Sequence, residues 1–600
     1  MMLLCKLRGA VLCAFFLLSI PSISATTPLW LHHEWQALLH LDVHGESLIT
    51  DAGFMRTASA EAEFKYFVAA FFDDKHIQTK QWQSDICRYP ARYIWLRQQL
   101  QQTDTFLPAQ VCADYNIFRK KMPADSVTLV YAAENITQPS SMMGHAFLAF
   151  SGHNEKGIEV SHALTFFTDV DLSNVALLIW QSIVSGKQGH LIVSPYKEQL
   201  QFYLKNEQRN VFEYPVATNS GQRELLMAHL WELKQTELSY YFHTFNCATL
   251  TNNLLALLNP ELATVTSSWL SPLDVVKINK QFNVINHSNL LPSDKWKVRT
   301  ISPLIGDVAR KYARDFNYSD YIQLLAEGPE ETLLALEFAQ SLLNYNYQQG
   351  TISAADYTVK TDMLISLSDR DAANAELTLS NTKDPTLRPA DGQMSVSYIQ
   401  NNDVVLSYLP ASHKLSDNHK HAFSESELQL FSSSVSYNTG TGNARLQELT
   451  VYSVSSFIPY DPYTGGWSGR FSLGAARKAD SNLENKLAAG VSGALGLTTE
   501  IHADIYLYGL MNISADWYRG LQLSAGPEVG LMMYQLFNNK TLLSYRRDFN
   551  QLGSDRPIGK LSWTQSWFFS SEAALIWQFD KILSGRNKDI RSGLTLRFYF

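Results

Sequence analysis

The chain has 600 residues, a formal net charge of −8, 18% charged residues and 12% aromatic residues. That length leaves room for roughly three or four domains at ~150 residues each. Nothing in this acid excess suggests a nucleic-acid partner, because phosphate binding needs clustered Lys and Arg.

Lys6 and Arg8 precede an apolar stretch from Ala10 to Ile20, which Pro21 closes before the small residues Ser22, Ser24 and Ala25. This is the layout of a secretory signal peptide over residues 1–25. As a membrane anchor the stretch is too short, since a spanning helix needs roughly 20 apolar residues. An exported chain is expected.

Residues 26–123 read as a small helical domain, with apolar spacing through Trp35, Leu38 and Leu39 and again through Phe64, Phe67 and Phe71. Export leaves Cys87, Cys112 and Cys247, an odd number in an oxidising compartment. Cys87 and Cys112 are close in sequence and flank a helical pattern, so a disulfide between them is the economical pairing. Cys247 is then the leftover thiol. The count alone leaves two readings open for it, a buried inert cysteine or a reactive one.

From about 124 the period changes, and residues 124–295 read as an α+β unit. Val127 to Ala132 is a β-rich run, His145 to Phe150 a second strand and Ile158 to Phe167 a third. A helix-like segment from Leu172 to Ser185 follows, then a Gly-punctuated strand through Leu191 to Val193, and helical spacing from Arg223 to Leu233. Cys247 begins a helix carrying Leu250, Leu254, Leu255 and Leu258. Helices return over 296–385 as a spacer, with Leu333, Leu336, Phe338 and Leu342 on one face, and the run Asn381 to Gly392 makes a linker.

Residues 386–600 alternate apolar and polar in segments of about ten, rich in aromatics, as in Leu446 to Val454, Ile505 to Leu510 and Leu594 to Phe600. That is the pattern of an antiparallel transmembrane β-barrel of 10 to 12 strands. The alternative is a soluble β-sandwich or barrel whose alternation separates core from water, which the charges at Arg546 and Arg547 keep open.

The chemistry-bearing residues centre on Cys247. At a helix N-terminus the backbone amides and dipole favour a thiolate. The nearest candidate base is His145, opening a strand directly after Ser140-Ser141-Met142-Met143-Gly144; the alternative is a core or turn histidine. His162, on the next strand, is a candidate to orient the imidazole if the two strands pair antiparallel with both histidines on one side. Asn246, Tyr240, Tyr241 and Ser141 are candidates to contact a developing oxyanion or the substrate, with Tyr241 equally a packing aromatic. No metal or cofactor is expected. His32-His33-Glu34 is not a His-Glu-x-x-His helix, no phosphate or dinucleotide loop is present, and His413, His419 and His421 read as a solvated loop.

The ordered blocks Ser141 to Leu148, Gly186-Lys187-Gln188-Gly189, Ser194-Pro195-Tyr196, Arg209 to Tyr214 and Tyr241 to Cys247 resemble the Lnb N-terminal periplasmic domain family. The resemblance implies a permuted papain-like fold in which the histidine precedes the cysteine, as His145 precedes Cys247. It also implies acyl transfer through a thioester on Cys247, with His145 moving the proton, on lipoprotein or lipid acyl chains. The family's namesake is a lipoprotein transacylase with membrane helices. This chain ends in a barrel-like domain instead, so the chemistry transfers more safely than the substrate. Two alternatives remain: a cysteine amidase or endopeptidase on peptidoglycan peptides, and a non-catalytic outer-membrane scaffold. The expected location is the outer membrane, in contact with its lipid, with the catalytic domain in the periplasm.

Overall fold

The computed structural model describes residues 28–72, 85–100, 112–135, 142–169, 180–265, 269–371, 383–400, 402–479, 483–518, 520–535, 538–552 and 558–600. The expected signal peptide, Ser141 and most of the expected helix from Leu172 to Ser185 lie outside these residues.

Among the described residues the leading part of the chain includes helices α1 (His33–Leu38), α2 (Ala60–Phe72), α3 (Pro90–Gln99) and α4 (Ala113–Lys121). Proline at the first position pre-sets the backbone that α3 needs. The Cys87–Cys112 disulfide, with Cα atoms 5.2 Å apart, joins the approach to α3 to the start of α4.

A seven-stranded sheet follows, ordered β6-β4-β3-β2-β1-β5-β7 and antiparallel throughout. Its strands are β1 (Ser126–Ala132), β2 (His145–His153), β3 (Glu159–Phe167), β4 (Lys187–Pro195), β5 (Val211–Val216), β6 (Leu238–Tyr240) and β7 (Asn289–Leu291). Helices α5 (Tyr196–Gln201), α6 (Ser220–Lys234), α7 (Cys247–Ala256) and α8 (Pro272–Gln281) cover it. Successive side chains of a strand point to opposite faces. Leu148 and Phe150 therefore enter a core with Leu226, Leu254 and Val276, while Phe147 and Ala149 meet Val130, Ala163 and Tyr203 on the other side. Burial on both faces explains why β2 reads as a continuous apolar run.

Trp35, Phe67, Phe71 and Trp95 of the leading helices belong to that same first core, so helices and sheet fold as one body. A buried polar string crosses the seam. Arg92 lies 2.7 Å from Glu63 and 3.7 Å from Glu232; His229 bridges Glu232 to His40, and His40 meets Asn253 of α7 at 3.2 Å.

The spacer comprises α9 (Asp294–Ile301), α10 (Asp307–Asp315), α11 (Tyr318–Glu327), α12 (Pro329–Gln348) and α13 (Ala354–Asp371). It has its own core around Tyr312, Ala335, Phe338 and Leu342.

Among the described residues, thirteen strands complete the chain. They are β8 (Gln393–Ile399), β9 (Asp403–Leu409), β10 (Ala411–His413), β11 (Glu425–Asn438), β12 (Ala444–Phe457), β13 (Ser468–Ala479), β14 (Asn485–His502), β15 (Ile505–Trp517), β16 (Leu521–Gln535), β17 (Asn539–Leu552), β18 (Ile558–Phe568), β19 (Ala573–Ser584) and β20 (Asn587–Tyr599). Pairing of β9 with β11 and of β20 with β8 closes a 12-strand antiparallel barrel, leaving only β10 outside the ring. On β20, Leu594, Leu596 and Phe598 are exposed while Thr595, Arg597 and Tyr599 are buried. Elsewhere Val529 and Leu543 point out, and Asn512, Glu528, Thr541 and Gln565 point in. A barrel apolar outside and polar inside is the reverse of a soluble one and suits a lipid surround. Arg546 stands opposite Glu528, so it faces the lumen. Exposed Trp467, Phe569 and Phe600 ring the end where the barrel's chain enters and leaves, and Tyr398, Tyr437 and Trp517 ring the other. Such aromatic girdles mark the two membrane interfaces. No described helix is long and apolar enough to cross a membrane.

The connection between β10 and β11 folds into the lumen. Asp417 accepts from Gln393, Tyr599 and Arg597, while Lys540 donates to Leu415 O, Asp417 O and Glu425. His413 and His419 are consequently buried, not solvated as the sequence suggests, because charged partners on the surrounding strands draw this polar segment inward.

The periplasmic mouth carries the rest of the molecule. Arg388 pairs with Glu134 at 2.6 Å, Arg299 donates to Thr464, Pro459 O and Gly465 O, and Phe423 packs between Phe212 and Trp296.

Candidate active site

Cys247 is the first residue of α7 and is buried, with its thiol free. Asn246 fixes this start: its Oδ1 accepts from the Thr249 N–H at 3.0 Å, and its Nδ2 donates to Phe242 O and Leu270 O. Both ends of the Asn246 amide are therefore engaged in capping the helix and holding the preceding loop. The strand opening is tied to the same helix, since Thr251 donates to Ala146 O at 3.3 Å.

Burial pushes the Cys247 thiol above its ordinary range. The N–H groups of Ala146 and Ala248, the Tyr240 hydroxyl and the Arg209 charge pull in the opposite direction without overcoming it. The sequence suggests a thiolate favoured by the helix end; in the fold, desolvation of the charged form wins. Those groups surround the sulfur and favour its charged form.

His145 opens β2 immediately before Ala146. Gly144 precedes it at φ +84°, where any Cβ would lie 2.9 Å from the Tyr131 ring, so only glycine lets the loop turn into the strand here. The imidazole is half-buried against the rings of Phe147 and Tyr203, with centroids 5.8 and 6.2 Å away. Burial and the Arg209 charge hold its pKa down at about 3, so it is neutral at physiological pH. No hydrogen bond joins it to Cys247 in this state; the two share Arg209 and Tyr203 as neighbours.

Arg209 stood in the sequence only as the first letter of a motif. In the fold it donates to Ala132 O and Ala133 O at the end of β1, pairs with Glu207 at 2.7 Å and stacks over Tyr203. A buried arginine opening an otherwise apolar β segment was the signal available for it.

The strands carrying His145 and His162 do pair antiparallel, but Leu148 stands opposite Leu164 and Phe150 opposite His162. His162 thus shares the face of Leu148, whereas His145 lies on the face of Phe147, and the structure does not bring His162 to the thiol. Of the adjacent tyrosines, Tyr240 lies near enough to the thiol for each to perturb the other, and Tyr241 packs on Gly186, where an added Cβ would meet its ring at 2.8 Å. Among the described residues no group of three or more His, Cys, Asp or Glu is placed to hold a metal ion. A cavity of ≈1530 Å³ lies between sheet, spacer and barrel mouth, lined by Arg209, Lys295, Trp296, Lys420, Asp504 and Tyr534; neither Cys247 nor His145 lines it.

Residues 113–281 match the Lnb N-terminal periplasmic domain family, in agreement with the motif resemblance. Residues 27–99 and 392–599 match two domains of unknown function, DUF7843 and DUF7840. No curated protein matches the chain. Among solved structures, the chain is similar to the COG4313 outer membrane channel from Pseudomonas putida F1, at 12% identity over 38% of this chain and 100% of that one, with a TM-score of 0.26. It is also similar to the outer membrane channel DcaP of Acinetobacter baumannii (10%, 37% and 100%, 0.18) and to the β domain of the Bordetella autotransporter BrkA (12%, 35% and 100%, 0.20). A periplasmic domain joined to a lipid-facing barrel makes this an exported outer-membrane protein whose Lnb-type domain lies in the periplasm.

Proposed function

We propose that the protein is an envelope thiol enzyme that moves or hydrolyses acyl groups through a thioester on Cys247. The observation that carries this reading is a free, buried thiol at a capped helix start, on the helix that is tied through Thr251 to the opening of the strand carrying His145. The resemblance to the Lnb domain supports an acyl ester as substrate.

In the resting site thiol and imidazole are both neutral. As the substrate carbonyl arrives, the Cys247 S–H proton passes to His145 and an S–C bond forms, with the preorganised donors balancing the developing negative charge. The ester C–O bond then breaks, and the leaving oxygen takes the proton from His145. An amine or water next gives its proton to His145, attacks the thioester and releases Cys247, which regains its proton. Arg209 disfavours the imidazolium except beside an anion, so proton transfer is tied to the arrival of substrate.

The test is to incubate the full chain with a lipoprotein and, separately, with muropeptides, and to search Cys247 for an adduct by mass spectrometry. A fatty-acyl adduct is expected. A peptidyl adduct would replace this reading with an amidase, and no adduct from either would overturn it in favour of a scaffold.

A further inference from the structure

The end of the sheet that carries His145 is also the end pressed against the barrel. Tyr452 of β12 donates to Met142 Sδ at 2.9 Å, three residues before His145. Tyr452 pairs with Leu473 and lies 5.9 Å from Phe471, both exposed on the barrel's outer wall, whereas its neighbour Ser453 is buried. The loop before the active site therefore touches the lipid-facing side of the barrel, near the girdle marked by Trp467.

The same end of the sheet is apolar where it leaves the barrel. Phe167 ends β3, and Trp180 and Val184 lead into β4; they are 37%, 58% and 53% exposed. Phe167 stands opposite His190, and Ile192, two residues on, shares its face and is 43% exposed. Asp169, the nearby acid, is partnered by His190 at 3.4 Å. Exposed apolar side chains gathered at one end of a sheet in this way mark an interaction site, unlike scattered single ones. The opposite end of the sheet is charged: Lys120 pairs with Glu155 at 2.8 Å, His153 with Asp125, and Lys156 is exposed between them. Apart from Ile158, which is exposed in the β2–β3 turn, the domain is thus polarised along its strands, with exposed aromatic and aliphatic side chains at the barrel end and ion pairs at the other.

We infer that Trp180, Val184, Phe167 and Ile192 form a surface that seats the periplasmic domain on the periplasmic leaflet beside the barrel wall. Their place at the same sheet end as Met142, which touches the barrel's outward face at Tyr452, points to lipid as the occupant. Aromatic and aliphatic side chains partition into the headgroup and acyl boundary, and the covalently attached barrel holds them at the required depth. The Cys247 site, next to the opening of β2, then lies at the end of the domain nearest the bilayer, which makes membrane-borne acyl chains its source of substrate. That last step rests on the acyl-transfer reading; the seating itself does not.

The test places the photo-crosslinking residue p-benzoylphenylalanine at Val184, Ile192 or, as control, Lys156 of the full chain, reconstituted in phosphatidylethanolamine–phosphatidylglycerol vesicles. Phospholipid adducts are expected several-fold more often at Val184 and Ile192 than at Lys156. Equal yields at all three, or none at Val184, would overturn the inference. In a second arm, the double substitution Trp180→Glu, Val184→Glu should lower the rate of adduct formation on Cys247 from a vesicle-borne acyl donor while leaving its reaction with soluble iodoacetamide unchanged. Equal effects on both reactions would also overturn it. Lipid crosslinking without any acyl adduct would leave the seating standing and remove the acyl-transfer reading.

Discussion

Tyr240→Phe isolates one donor at the thiol. The ring, which lies 5.2 Å from Phe166, keeps its packing, and only the hydroxyl that faces Cys247 is lost. A hydrogen bond to a charged group contributes roughly 1.5–3 kcal/mol, and the neutral thiol gains far less from the same donor. At 1.4 kcal/mol per tenfold change, the thiolate fraction at a fixed pH below the midpoint should fall about tenfold to a hundredfold. The assay is the rate of Cys247 alkylation by iodoacetamide as a function of pH, on the full chain in detergent, where Cys87 and Cys112 are bonded to each other. The profile should move to higher pH with an unchanged plateau. Tyr241→Phe, which alters a ring packed on Gly186, should leave the profile in place. An unchanged profile for Tyr240→Phe, or a lower plateau with no displacement, would refute the assignment of this hydroxyl to the sulfur.

Three further outcomes follow from the same structure. Because His145 titrates near 3 when folded and near 6.5 when unfolded, the unfolded chain binds the extra proton between those values. Stability should therefore fall as pH drops through that window, by at most about 1.4 kcal/mol per pH unit from this group; a denaturation series should show a shallower acid limb for His145→Asn. Arg92→Met leaves Glu63 and Glu232 buried without their cation and should cost about 3–5 kcal/mol, read as an earlier urea transition of the periplasmic part by tryptophan fluorescence. With the β10–β11 connection bound inside the lumen, the barrel should pass no steady current in planar bilayers, and Asp417→Ala combined with Lys540→Ala should produce open steps; steady conductance of the unaltered protein would contradict the seal.

Much of this architecture is local in origin and therefore readable from the chain. The barrel is legible because lipid and lumen alternate along each strand, so Leu594, Thr595, Leu596 and Arg597 carry the pattern in their order. The start of α7 is legible because asparagine at 246 is a helix-capping residue, and two neighbouring cysteines leave Cys247 over. The extent of the first core was less visible, since Trp35 and Leu254 meet across more than 200 residues of sequence and no local period records that contact.

The helix that begins at Cys247 and the sidedness of the barrel were determined by the sequence itself, each through spacing within one element; the leftover thiol follows from the cysteine count, and the histidine-before-cysteine order from the motif resemblance. The surroundings of the thiol were decided only by the tertiary structure. A strand's period is two, so whether His162 faces Cys247, or whether Tyr240 or its neighbour does, changes with a single step of register, and register is set by pairing between distant strands. Arg209 enters the site through the end of β1, not through any residue near it in the chain. The state of the thiol depends on a contest between helix-end amides and burial, and burial exists only once the whole domain has closed around Cys247.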